Sequence, residues 1–156
     1  MQALSFAAKL DDSALLACMY KYFGYRLFRS HQLHVVKSLL AGNDVFCSMA
    51  TGSGKSLLFQ LPALALRDQI GILATTVVIS PLLSLIDDQV CLLRQSGVSV
   101  IAIGSSSNRD DEERAMRGEF AIIYATPEKI GVWKYGLEKL LEHARIVCVA
   151  VDEAHW

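Results

Sequence analysis

The run Met49-Ala50-Thr51-Gly52-Ser53-Gly54-Lys55-Ser56 (MATGSGKS) follows a short apolar stretch, Asp44 to Met49, and precedes a helix-like one, Lys55 to Leu66. That order reads as strand, glycine loop and helix. Gly52 and Gly54 let the backbone curl so that successive N–H groups point inward, and the following helix adds its positive end. A triphosphate is the natural guest, with Thr51, Gly52, Ser53 and Gly54 forming the cradle. Lys55 then reaches the β- and γ-phosphates, while the Ser56 hydroxyl ligates the magnesium that bridges them. The general pattern G-x-x-x-x-G-K-[ST] has a glycine where Met49 stands. The plainer reading is a glycine-rich turn with an exposed lysine.

The strand and helix rhythm continues outward. Strands are expected at Thr76 to Ser80, Val98 to Ile103, Phe120 to Ala125 and Arg145 to Val151, and helices at Leu82 to Gln95, Asn108 to Arg117 and Trp133 to His143. Upstream, Asp12 to Tyr22 and His31 to about Ala41 read as helices, the first ended by Gly24 and the second capped by Ser30. Ser107 with Asp110 resembles a capping box, making DDEER a solvated helix face rather than a site. Five strands alternating with helices imply an α/β fold with a right-handed parallel sheet and helices on both faces.

The totals narrow the function classes. At 156 residues and 53% hydrophobic, the chain is the length of one domain, or part of one, and its apolar residues fall in separated blocks. The most membrane-like segment, Ile70 to Ile86, is broken by Gly71, Thr75, Thr76, Ser80 and Pro81, so a membrane span is not expected. The N-terminus lacks a basic start before an apolar run, which makes an intracellular protein the default. Four cysteines, Cys18, Cys47, Cys91 and Cys148, are far apart and read as reduced, buried thiols. A net charge of −1 gives no global attraction to a polyanion, so any nucleic-acid contact must be local or supplied by further sequence. His31, His34 and His143 have no carboxylate or cysteine at ligand spacing.

Asp152-Glu153-Ala154-His155 follows the last apolar strand, which puts Asp152 at the carboxyl edge of the sheet. There Asp152 would hold magnesium, and Glu153 would orient and deprotonate an attacking water. An acidic pair at a strand end is often only solvated; its pairing with MATGSGKS is what gives it weight.

With these motifs in order, the chain resembles the first RecA-like lobe of a RecQ-type superfamily 2 DNA helicase. Phe23 to Gln32, FGYRLFRSHQ, is similar to that family's F-G-Y-x-x-F-R-P-x-Q element. The resemblance makes Gln32 the reader of the adenine edge, with Tyr25 and Arg29 supporting the base. The family's loop is close to M-P-T-G-x-G-K-S, so Met49 is expected and only Ala50 departs. Val78 to Val90 resembles V-x-S-P-L-x-S-L-x-x-D-Q-V, and Tyr124 to Glu128 resembles Y-x-[TS]-P-E. By resemblance these elements, including Ser80, Pro81, Leu82 and Thr126, line the path of one DNA strand, and His155 couples the ATP site to that path. The plain reading of SPLLSL is a strand turning into a helix, with Pro81 in its first turn.

The resemblance implies residues 1–41 as N-terminal helices carrying the adenine element and residues 42–156 as a partial RecA-like ATP-binding lobe. It implies ATP and Mg²⁺ as cofactors, single-stranded or forked DNA as partner, roles in DNA repair, recombination or replication, and a nuclear location if the organism is eukaryotic. In lobes of this type a further strand lies between the phosphate-loop strand and the DEAH strand, and a second lobe supplies an arginine finger. The resemblance to the family's pattern stops at Trp156, and a gap is expected between the two halves of the site. The chain alone would then not unwind DNA. A P-loop small-molecule kinase and a non-catalytic truncated or splice product remain the alternatives.

Overall fold

The computed structural model describes residues 9–50, 52 and 54–154. Thr51, Ser53 and His155, three of the expected site residues, lie outside the described residues. At the centre is a four-stranded, wholly parallel sheet in the order β2-β3-β1-β4, formed by β1 (Ala74–Ile79), β2 (Val100–Ile103), β3 (Ile122–Ala125) and β4 (Arg145–Val151). Alternating side chains along each strand supply two cores. Val100, Ile122, Tyr124 and Val78 face one, and Ile101, Ile103, Ile123 and Val77 face the other.

The first face is covered by α1 (Asp12–Phe23), α2 (Gln32–Leu40), α3 (Lys55–Ala65) and α4 (Leu83–Gln95). The second is covered by α5 (Arg109–Met116), α6 (Pro127–Val132) and α7 (Lys134–His143), through Ala115, Ile130 and Leu140. Helices on both faces explain why the inner strands β1 and β3 are buried without alternation. An α/β architecture, a parallel sheet with helices on both faces, is therefore present in the described residues, although its boundaries correct several sequence expectations.

The stretch Asp44 to Met49 forms no strand. A parallel strand needs a neighbour for its N–H and C=O groups, and this stretch faces a cleft of about 520 Å³ that separates it from β4. Gly42 to Phe46 are exposed. The second helix starts at Gln32 with His31 at its N-cap position and has no side-chain cap, so Ser30 does not cap it; the Gln32 side chain folds back to accept from the Arg29 N–H at 2.8 Å. Asn108, whose side chain accepts from the Asp111 N–H, is the cap of α5 in place of Ser107. Ser107 instead bonds Gly104 and Glu112. Pro81 lies before α4, which begins at Leu83, because Leu82 is extended. Of the cysteines only Cys18 is buried; Cys91 is exposed, and Cys47 and Cys148 are half-buried, all four as free thiols.

α6 was not expected, though Thr126 and Pro127 form a readable helix start, with the Thr126 hydroxyl accepting from Lys129 N–H and Pro127 needing no donor. After α3 the chain widens into a π-helical turn, Leu66–Ile70, closed by Gly71 at φ 76°. That turn carries Arg67, whose guanidinium donates to the carbonyls of Ala74, Gly118 and Phe120 at 2.6, 2.6 and 3.0 Å. The side chain thus ties the end of α3 to β1 and to the entry of β3. Burial lowers its pKa, and the three carbonyl dipoles satisfy a charge that would otherwise be costly to desolvate.

Candidate nucleotide-binding site

The sheet sets the site at the carboxyl ends of its strands. Beyond β4, the Asp152 N–H donates to the Ile79 carbonyl at 2.9 Å, extending the ladder by one bond and fixing Asp152 beside the end of β1. Glu153 follows at φ 58°, a left-handed conformation that costs an L-residue roughly 1–2 kcal/mol. Its N–H donates to Asp152 Oδ1 at 3.1 Å, which helps hold the turn.

α3 begins directly at Lys55, and Gly54 before it has φ 82°. Gly52 has φ 79°. The positive φ favours glycine at Gly54, and a β-carbon there would also push aside the Gln32 amide that bonds the loop. Lys55 Nζ lies 3.6 Å from Asp152 Oδ1, so helix start and strand end meet directly. The two side chains remain 36% and 20% exposed, which leaves both groups reachable from solvent.

The FGYRLFRSHQ segment packs against the loop. Gln32 is 3% exposed and its amide donates to the Gly54 carbonyl at 3.1 Å, while Arg29 Nη1 donates to the Gly52 carbonyl at 2.8 Å. The two side chains therefore hold the loop by its backbone, an arrangement that the sequence reading, with Gln32 aimed at a base, did not foresee. Tyr25 stands 55% exposed on the rim.

These parts enclose a cleft of about 420 Å³ lined by Tyr25, Arg29, Gln32, Gly52, Gly54, Lys55, Ser56, Asp152 and Glu153. Leu27, Ala50, Leu85 and Gln89 complete it, and none of these four is among the site residues expected from the sequence. Gln89 had a legible signal, being a polar residue inside the quoted VISPLLSLIDDQV stretch. The remaining expected positions, Ser80, Pro81, Leu82 and Thr126, lie apart from the cleft's lining, at the ends of the paired strands β1 and β3. Ser80 N–H donates to the Ala125 carbonyl at 3.0 Å, so the two strand ends are adjacent. The Ser80 hydroxyl is buried without a hydrogen-bond partner, while Leu82 is 38% exposed.

The donor set suits a magnesium-bound triphosphate: an ammonium, a hydroxyl and two carboxylates border a glycine loop at a helix N-terminus. Among the described residues no group of three or more His, Cys, Asp or Glu could hold a metal unaided. Magnesium commonly takes one or two protein ligands plus substrate phosphates, so such a cage is not required.

The family model for DEAD/DEAH box helicases matches residues 29–156, a span that includes Arg29, Gln32, the glycine loop and the DEAH segment. The chain belongs to the DEAD/DEAH box helicase family. Its relatives are RecQ-type proteins. It is 33% identical over 150 residues to the ATP-dependent DNA helicase RecQ of Haemophilus influenzae, covering 94% of this chain and 23% of that protein. It is 40% identical over 142 residues to ATP-dependent DNA helicase Q1 of Rattus norvegicus, covering 85% and 22%. The ATP-dependent DNA helicase Q-like 2 of Arabidopsis thaliana is 37% identical over 153 residues, covering 92% and 21%. This helicase-family chain thus spans about a fifth of the length of these curated relatives. Among the described residues no helix is long and apolar enough to cross a membrane.

Proposed function

We propose that residues 42–156 form the ATP-binding part of a RecQ-like, ATP-dependent 3′-to-5′ DNA helicase, with residues 1–41 adding the adenine element. The observation that carries this reading is the convergence of Lys55, Ser56, Asp152 and Glu153 on one cleft above Arg29 and Gln32. A kinase reading gives no role to the latter two residues or to the paired strand ends at Ser80 and Thr126.

Mg-ATP, when bound, supplies the phosphoanhydride to be cleaved and a cation that neutralises its developing charge. Ser56 and Asp152 would hold the metal. The Lys55 ammonium, which pairs with Asp152 at 3.6 Å, would turn to the phosphates. Glu153 would take the proton of the attacking water, for which its carboxylate beside Asp152 is suited. Gln32 and Arg29 would reach the base edge only by sharing or releasing their bonds to Gly54 and Gly52. DNA contacts at Ser80, Pro81, Leu82 and Thr126 would position a strand without reading its bases.

The cleft beside β4 bears on the extent of activity, because Lys55 and Asp152 line one end of it as well. With that wall open, the chain on its own would bind nucleotide and not separate duplexes. Titration with Mg-ATP tests the first claim: binding should be lost in Lys55→Ala, and equal binding by both proteins would refute it. Separation of a forked duplex by the isolated chain, abolished in Lys55→Ala, would overturn the second.

A further inference from the structure

α3 contains a run from Leu57 to Ala65 in which every residue is buried, and Gln60 is its single polar member. An amide in such a run is costly unless its hydrogen bonds are made. Gln60 Nε2 donates to the Tyr124 hydroxyl at 3.0 Å and to Gln89 Oε1 at 3.1 Å. One side chain, 3% exposed, therefore joins three elements.

Each element leads to a different part of the proposed machinery. α3 starts with Lys55 and Ser56. Gln89, on α4, lines the nucleotide cleft, and α4 itself follows Ser80, Pro81 and Leu82. Tyr124, on β3, lies just before Ala125 and Thr126, and β3 is paired with β1 at Ile79 and Ala125. Burial pushes the Tyr124 phenol up to about 12, so it remains a neutral hydroxyl that can accept from Gln60.

We propose that Gln60 is a positioning residue that couples the nucleotide cleft to the strand-contacting ends of β1 and β3, through Gln89 and Tyr124. The inference rests on the nucleotide and DNA reading given above. A shift of α3 on loading of the cleft moves the Gln60 amide, and the amide cannot keep both bonds unless α4 and β3 follow. A packing role alone would be served as well by leucine.

The test measures affinity for a fluorescent single-stranded oligothymidine with and without a saturating non-hydrolysable Mg-ATP analogue, in wild type, Gln60→Leu, Tyr124→Phe and the double variant. Wild type should show a nucleotide-dependent ratio of about fivefold or more. Gln60→Leu should bring the ratio below about twofold while each ligand alone binds as in wild type, Tyr124→Phe should lower the ratio to the same extent, and the double variant should add nothing. A wild-type ratio near one, or a ratio that survives both substitutions, overturns the inference. Loss of both single-ligand affinities in both variants marks a structural role and overturns it too. A Lys55→Ala control separates the underlying reading: nucleotide binding that survives it overturns the nucleotide site itself, whatever the Gln60 variants do.

Discussion

β3 and β4 are made from the same kind of residues, IIYA and RIVCVAV, and both pair in parallel with β1, yet their surroundings differ. β3 has β2 on its other side and helices on both faces, and all four of its residues are buried. β4 has the open cleft on its other side, and Val149 and Val151 are 58% and 60% exposed. An apolar run therefore specifies a strand, but the neighbours on both edges decide how much that strand stabilises. The comparison also separates tasks: the closed side of the sheet is framework, while the open side carries Asp152 and Glu153.

The sharpest way to break this comparison is to delete the same kind of side chain on each side. Ile122→Ala, at a fully buried position, should cost about 2–5 kcal/mol in chemical denaturation. Val149→Ala should stay within about 0.5 kcal/mol, and equal losses would show that the cleft is closed in solution. Arg67→Met comes next. It strips donors from the Ala74, Gly118 and Phe120 carbonyls and should cost about 3 kcal/mol, with hydrogen exchange accelerating in β1 and β3 before β4.

Gln32→Ala should have a smaller effect on stability, about 1 kcal/mol, because it removes one hydrogen bond at the Gly54 carbonyl and one at the Arg29 N–H. Faster exchange should be confined to the loop and the start of α2. The smallest effect concerns the thiols. Burial pushes Cys18 up to about 12 and Cys148 up to about 11 from an ordinary 9.0, so each holds its proton in the folded state. Their contribution to stability is complete below about pH 9 and is lost as pH rises toward those values. At pH 8 a maleimide should label exposed Cys91 first and Cys18 last, and a reversed order would place β4 or α1 differently.

Much of the framework was legible from periodicity and punctuation. Gly24 at φ 75° ends α1 where a glycine was read as a stop, and β1, β3 and β4 fall within the expected runs or within two residues of them. The stretch Asp44 to Met49 misled because its composition is right for a strand and its partner is a matter of tertiary structure. At the candidate site, chemistry-bearing types at known spacing pointed to Lys55, Ser56, Asp152 and Glu153, which line one cleft. The supporting contacts were not legible, since Gln60 to Tyr124 and Arg67 to Phe120 join residues far apart in the chain. Nor could sequence show that Gln32 and Arg29 spend their donors on loop carbonyls.

The Lys55 and Asp152 pair carries one more consequence. A lysine that already rests against a carboxylate does not offer a bare charge to an arriving anion; the anion must replace a resident one. Association is then an exchange of counter-charges, and added salt loosens the resident contact along with the new one. Affinity for a nucleotide should accordingly fall less steeply with ionic strength than for a site whose lysine stands alone, and Asp152→Asn should steepen that slope.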